Sequence, residues 1–307
     1  MKQLLLCMLL AAPLTIAAPM QLNMQQLPEH TQFTYRYASM GQAQQLRFAI
    51  ENKNLTNHFR QFRAFKPVML QHYLWRDLRA HVAQYPGAKL RKLPPADLLN
   101  YQLQTADTTL RQQLNAELAQ LTKERTAFYL HQQYYHQLEL PWGELVIIPD
   151  HQRLMQDSLQ DLLPLATAWH DTLVNMPTRQ SLAMLTSWIQ QIPYQDLSNR
   201  AQSSGESFNP PLKLLKENRG DCDSKAVLLA ALLRMLLPDV RLAMVYLPEH
   251  ALLAVQLTPT TDDMSVRIEG RDYLLVDATG PAQLAPGQIA PQYEIYTRND
   301  HFGYQLL

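Results

Sequence analysis

Beyond Pro238 the apolar residues of this chain change their period from 3.6 to 2. Before the break, Ala226, Leu229, Leu232, Leu233 and Leu236 share one broad helical face, with Asp221 as its N-cap and Pro238 as its stop. After it, residues 241–246, 251–257, 265–268 and 273–276 read as strands, with a turn at 270–272 and a loop at 258–263. A helix with so wide an apolar face must be buried, and strands joined by short connections pair antiparallel. The second half is therefore expected to pack a central helix on an antiparallel sheet, an α+β arrangement.

The first half reads differently. Residues 32–37 and 46–50 alternate polar with apolar or aromatic side chains around Gly41, as in a short hairpin. Helix is expected from about Leu55 to Tyr85, with Phe59, Phe62, Phe65, Met69, Tyr73 and Leu74 at roughly helical spacing and Pro67 kinking or restarting it. Pro94-Pro95 marks a break. From Asp107, a second N-cap, Leu110, Leu114, Leu118, Leu121 and Phe128 form the stripe of a long amphipathic helix, without the sustained heptads of a coiled coil. Residues 145–148 are a short strand or connector, and a helix starting at Pro149-Asp150 runs towards His170. Composition shifts near Pro177, and a helix over 181–191 turns Leu182, Leu185, Trp188 and Ile189 inward before Ile192-Pro193-Tyr194 ends it. A loop over 198–211 and a short helical turn over 212–217 lead to Asp221. The expected organisation is a leader over 1–17, a mainly helical domain over 18–160 and the α+β domain over 161–307.

Charge narrows the partners. The 307 residues carry 27 basic and 27 acidic side chains, so no strong field draws the chain to nucleic acid or an anionic membrane surface. Met1-Lys2-Gln3, an apolar run over 4–12 and small residues up to Ala18 have the order of a secretory signal peptide, with cleavage placed after Ala17. The run is too short to span a bilayer, and no other stretch approaches the ~20 apolar residues required. The expected product is periplasmic or secreted. Cys7 would leave with the leader, which leaves one thiol, Cys222, in an oxidising compartment. That thiol is a packed small residue, half of a bond to a second copy, or a nucleophile. No cofactor or metal is expected: there is no His/Cys cluster of zinc spacing, and Asp262-Asp263 lacks the alternation of a calcium loop.

A helix N-terminus favours a thiolate, and Cys222 sits at one, directly after Gly220-Asp221. Asp221 and Asp223 oppose this by like charge, so Lys225, the helix dipole and a protonated imidazole must outweigh them. His250 starts one strand and Asp277 ends another. If those strands are neighbours under the helix, the imidazole can reach both the thiol and the carboxylate.

In Gly220-Asp221-Cys222, in His250-Ala251 at a strand start and in Asp277-Ala278-Thr279 at a strand end, the sequence resembles the transglutaminase-like superfamily. The resemblance spans roughly residues 165–307 and implies a transglutaminase-like, papain-like core. It further implies Cys222 as nucleophile, His250 as base and then acid, and Asp277 as the residue orienting the imidazole. The oxyanion hole would take the Cys222 N–H and one further donor; Tyr194 and Asn209 are cleft candidates because they lie in loops, whereas Trp188 reads as core. The implied activity is acyl transfer from amide bonds of a protein or peptide substrate. Hydrolysis is favoured, because bulk water wins unless a dry acceptor tunnel exists. The alternatives are an amine-accepting crosslinker or a silent binding protein of the same fold. Nothing in the residues fixes the oligomeric state.

Overall fold

The computed structural model describes residues 20–95, 98–197 and 208–307. The leader expected over 1–17 lies outside the described residues, as does most of the loop over 198–211.

Three strands, β1 (Gln21–Gln26), β2 (His30–Ser39) and β3 (Gln42–Glu51), form an antiparallel meander. Met40 and Gly41, both at positive φ, make the two-residue turn that pairs Ser39 with Gln42, the backbone twist that tight hairpins require. Period-2 alternation does the rest: Phe33, Tyr35 and Tyr37 share a buried face with Leu46, Phe48 and Ile50, and Phe33 stacks on Phe48 at 5.0 Å. Next come α1 (Asn52–Gln61) and α2 (Pro67–Val82). Pro67 starts α2 as its first residue, where a missing N–H costs nothing.

The hairpin β4 (Lys89–Lys92) and β5 (Tyr101–Gln104) precedes the long helix α3 (Thr108–Gln132), whose N-cap Asp107 accepts from the Thr109 and Leu110 N–H groups at 2.8 and 3.1 Å. Leu114 and Leu118 are its buried centre, and Phe128, expected on the same stripe, is exposed. A second hairpin, β6 (Tyr135–Glu139) and β7 (Leu145–Pro149), leads into α4 (His151–Leu173), capped by Asp150. The expected division at 160/161 falls inside α4. The segment expected to be mainly helical also holds seven strands among its described residues; β1, β4, β5 and β6 are short or polar enough that no alternation marked them.

Helices α5 (Thr178–Gln191), α6 (Pro211–Glu217) and α7 (Cys222–Leu236) follow, then β8 (Leu242–Leu247), β9 (His250–Val255), β10 (Ser265–Ile268), β11 (Arg271–Val276), α8 (Pro291–Arg298) and β12 (Gly303–Leu306). The last five strands form one antiparallel sheet in the order β10-β11-β9-β8-β12, so the chain is α+β with all its strand pairs antiparallel among the described residues. Residues 226–233 of α7 are completely buried. One apolar cluster joins β2 and β3 to α4, α5, α7 and one face of the large sheet, and a second covers the other face with Ile289 and Phe302. Burial on both faces is why 251–255 is an unbroken apolar run.

Candidate active site

Cys222 is the first residue of α7, and its backbone is locked from the chain before it. Gly220 pairs as a parallel bridge with Tyr194, accepts from the Gln195 N–H at 3.1 Å and donates to the Pro193 carbonyl at 3.3 Å. A Cβ at Gly220 would stand 2.8 Å from Leu214 Cδ1, inside contact distance with a buried side chain. The end of α5 is thus stitched to the start of α7. Tyr194 is held beside this start with half its surface exposed.

The hairpin between β8 and β9 turns through Glu249 at positive φ and places His250 at the head of β9, in register with Leu247. Residue 277 follows directly on β11, which pairs with β9 through Val276 and Leu253. Adjacent strands therefore bring the two side chains together: His250 Nε2 lies 3.1 Å from Asp277 Oδ2, with both side chains buried. Burial works to raise the Asp277 carboxyl, but the hydrogen bond and charge of His250 and the Thr279 N–H, 3.0 Å from Oδ1, outweigh it and hold it below the ordinary range. An ionised carboxylate only accepts, so Nε2 carries a proton and Nδ1 is the nitrogen left free to face the sulfur. The Ala251 N–H is directed at the Cys222 sulfur, which sets the sulfur against the residue next to His250.

The electrostatics of the thiol correct one expectation. Burial pushes it far above the ordinary range, the Asp223 and Asp221 carboxyls push it further wherever they are ionised, and the N–H groups of Ala251 and Asp223 oppose them only in part. Lys225 does not rescue the thiolate. Its fully buried ammonium donates to the Ile192 carbonyl at 2.6 Å and to the Thr279 carbonyl, and burial brings it down to about 8 against the charges of Asp277, Asp221 and Cys222. Burial thus favours the neutral thiol at Cys222, which is bonded to no other cysteine among the described residues of the chain.

Three further residues frame the pair. Gln190, buried at the end of α5, donates to the Asp277 carbonyl at 2.7 Å and the Leu284 carbonyl at 2.9 Å. With Lys225 it ties the segment after β11 to α5. The ring of Tyr293, on α8, lies flat on His250 with centroids 4.3 Å apart and planes 9° from parallel. A lone Lys in an apolar helix and a Gln on an inward helical face were the available signals for the first two. Tyr293 had none, because its helix was not legible.

Asn209 is not in the cleft. It is completely buried, its N–H donates to Ser224 Oγ at 2.7 Å and its amide nitrogen to the Arg219 carbonyl at 3.2 Å, so it braces the α6–α7 junction. Asp263 is also committed: Arg179 bonds one oxygen and holds the carboxyl down at about 2, and the other accepts from the N–H and hydroxyl of Thr260. Among the described residues no group of three or more His, Cys, Asp or Glu side chains is arranged to hold a metal ion, and no helix is long and apolar enough to cross a membrane.

No family model matches the chain, and no curated protein matches it. Among solved structures it is similar to Legionella pneumophila LapG in its EGTA-treated form, at 16% sequence identity and a TM-score of 0.28, over 45% of this chain and 77% of that one. A likeness of that size assigns neither fold nor chemistry to this chain, and both rest on its own residues.

Proposed function

We propose that the chain is an exported cysteine hydrolase of the transglutaminase-like type, cleaving amide bonds of protein or peptide substrates through Cys222, His250 and Asp277. The observation that carries this reading is the buried His250–Asp277 hydrogen bond at 3.1 Å beside the sulfur at the head of α7. A neutral thiol fits a general-base route. His250 Nδ1 takes the thiol proton as sulfur attacks the carbonyl carbon, and Asp277 stabilises the imidazolium that forms. The tetrahedral oxyanion faces the Cys222 N–H, a first-turn donor with no helical partner. Collapse breaks the C–N bond, the departing amine takes the proton from His250, and a thioester remains. Water, deprotonated by the same imidazole, then releases the acid and regenerates the thiol.

Gln190 is no second oxyanion donor, since both its amide hydrogens go to carbonyls. Tyr194 and Tyr293 border the cleft as apolar walls with hydroxyl ends. The test is a peptide library incubated with the mature chain, with and without a primary amine, read by mass spectrometry. Cleavage that disappears in Cys222→Ala and His250→Ala is the expected result. Amine incorporation instead of cleavage would make the protein a crosslinker. An inert library, together with Cys222 labelling by iodoacetamide at equal rates in the unmodified chain and His250→Ala, would overturn the catalytic reading.

A further inference from the structure

A second histidine–carboxylate pair lies one residue from Cys222, and the reaction above does not use it. His151, the first residue of α4, is 1% exposed. Its Nε2 lies 3.1 Å from Asp223 Oδ2 and its Nδ1 2.8 Å from the Tyr246 hydroxyl, which in turn lies 3.1 Å from Gln305 Oε1. The imidazole is walled by the rings of Phe208 and Tyr246, at 5.0 and 5.7 Å. Four elements, α4, α7, β8 and β12, meet in this chain of contacts.

Proton counting fixes its charge. The amide oxygen of Gln305 only accepts, so the Tyr246 O–H is spent on it, and the tyrosine oxygen must accept from His151 Nδ1–H. One further proton lies between Nε2 and Asp223 Oδ2. Wherever it sits, on the acid or on the imidazole, the pair carries no net charge. The neighbours favour the uncharged form. His151 stands at a helix N-terminus, which disfavours a cation. Burial works against charge on both partners, lowering the imidazole and raising the Asp223 carboxyl. The other titratable groups facing the pair are Asp221, which hydrogen-bonds Asp223 and is itself held well up by burial, Asp150 at the α4 cap, Tyr246 and His136 of β6.

We infer that His151 is a positioning residue that acts through Asp223: it balances the Asp223 charge at the first turn of α7, so that the Cys222 thiol can lose its proton to His250. This rests on the reading of Cys222 and His250 above and adds a second histidine–carboxylate pair to it. Without His151, Asp223 would stand as an unpaired carboxylate beside the sulfur, and like charge disfavours a thiolate.

The experiment is the rate of iodoacetamide labelling of Cys222, followed by mass spectrometry on the peptide that contains it. It compares the unmodified chain with His151→Phe, Asp223→Asn, the double variant and His250→Ala. At about pH 7.5 His151→Phe is expected to label about tenfold more slowly, the factor of one pKa unit. The deficit should shrink near pH 5, where Asp223 is protonated without help. The double variant should label at the rate of Asp223→Asn alone, because no charge is left to balance. A His151→Phe rate equal to the unmodified chain would overturn the proposal. So would a double variant that keeps the full deficit, since His151 would then act by packing.

If circular dichroism shows His151→Phe unfolded, Asp223→Asn decides alone. Labelling within about twofold of the unmodified chain is expected, because the charge it removes is already balanced, and a tenfold acceleration would overturn the proposal. His250→Ala separates the two readings. Unchanged labelling in that variant defeats the Cys–His pair, while the His151 comparison still reports the charge beside the thiol.

Discussion

Lys225 shows how a residue can serve the site by being costly. A buried ammonium is tolerated only with full hydrogen bonding, and its bonds to the Ile192 and Thr279 carbonyls fasten α5 to the segment that carries Asp277. Folding brings this group from 10.5 down to about 8, so the folded state releases its proton earlier than the unfolded chain. Between those two values the unfolded chain binds more protons, and stability contributed by this residue rises with pH. Below pH 8 the lysine is a cost. The full rise amounts to about 3 kcal/mol at 1.36 kcal/mol per pKa unit. Denaturant unfolding at about pH 8 and pH 10.5 should show it as the difference between the unmodified chain and Lys225→Met, which has no such group to titrate. Equal pH dependence in both would mean that Lys225 keeps its ordinary acidity.

At the scale of elements, the segment after β11 is the joint on which the His250–Asp277 pair depends. Gly280 has φ +64°, and a Cβ there would overlap the Gln190 carbonyl oxygen, which is backbone and cannot swing aside. Gly280→Ala should therefore cost about 2–4 kcal/mol, from the left-handed backbone and the clash together. Chemical denaturation measures that loss, and a cost under 1 kcal/mol would show that the joint is loose. This joint was only half legible in the sequence. The strand end at Asp277 could be read because 273–276 is an apolar run with turn residues on each side, and α7 because Asp221 caps a helix whose face is almost wholly apolar. The β2–β3 hairpin was legible for the same kind of reason, a buried aromatic face alternating with a polar one. Helix α8 and strand β12 were not. Each is too short to show a period, and β12 finds its partner in β8, more than fifty residues earlier. Asn209 misled because Asn-Pro-Pro has the composition of an exposed loop, whereas its burial is decided by Ser224 and Arg219, which come later in the chain.

Across the whole molecule, the aromatic residues of the first half complete the core of the second. Trp188 of α5 is completely buried. Tyr35 of β2 meets its ring edge-on at 5.3 Å and Trp169 of α4 at 5.6 Å. The opposite side of α5 carries Gln190 and the chain to Tyr194, so the meander supports, through one helix, the segment stitched to Cys222. A core shared in this way should melt as one unit. Removing Trp188 empties a large volume between three elements, and Trp188→Ala should cost about 3–5 kcal/mol. The same substitution should move two probes together: far-UV circular dichroism, which follows the helices throughout, and pulsed hydrogen exchange of the peptide over 226–233, which follows the buried body of α7. Coincident midpoints in denaturant, shifted equally by the substitution, are the expected result. If the meander instead unfolds in a separate first transition that leaves the amides of α7 protected, the two halves are independent folding units. The division expected near residue 160 would then be real despite the helix that crosses it.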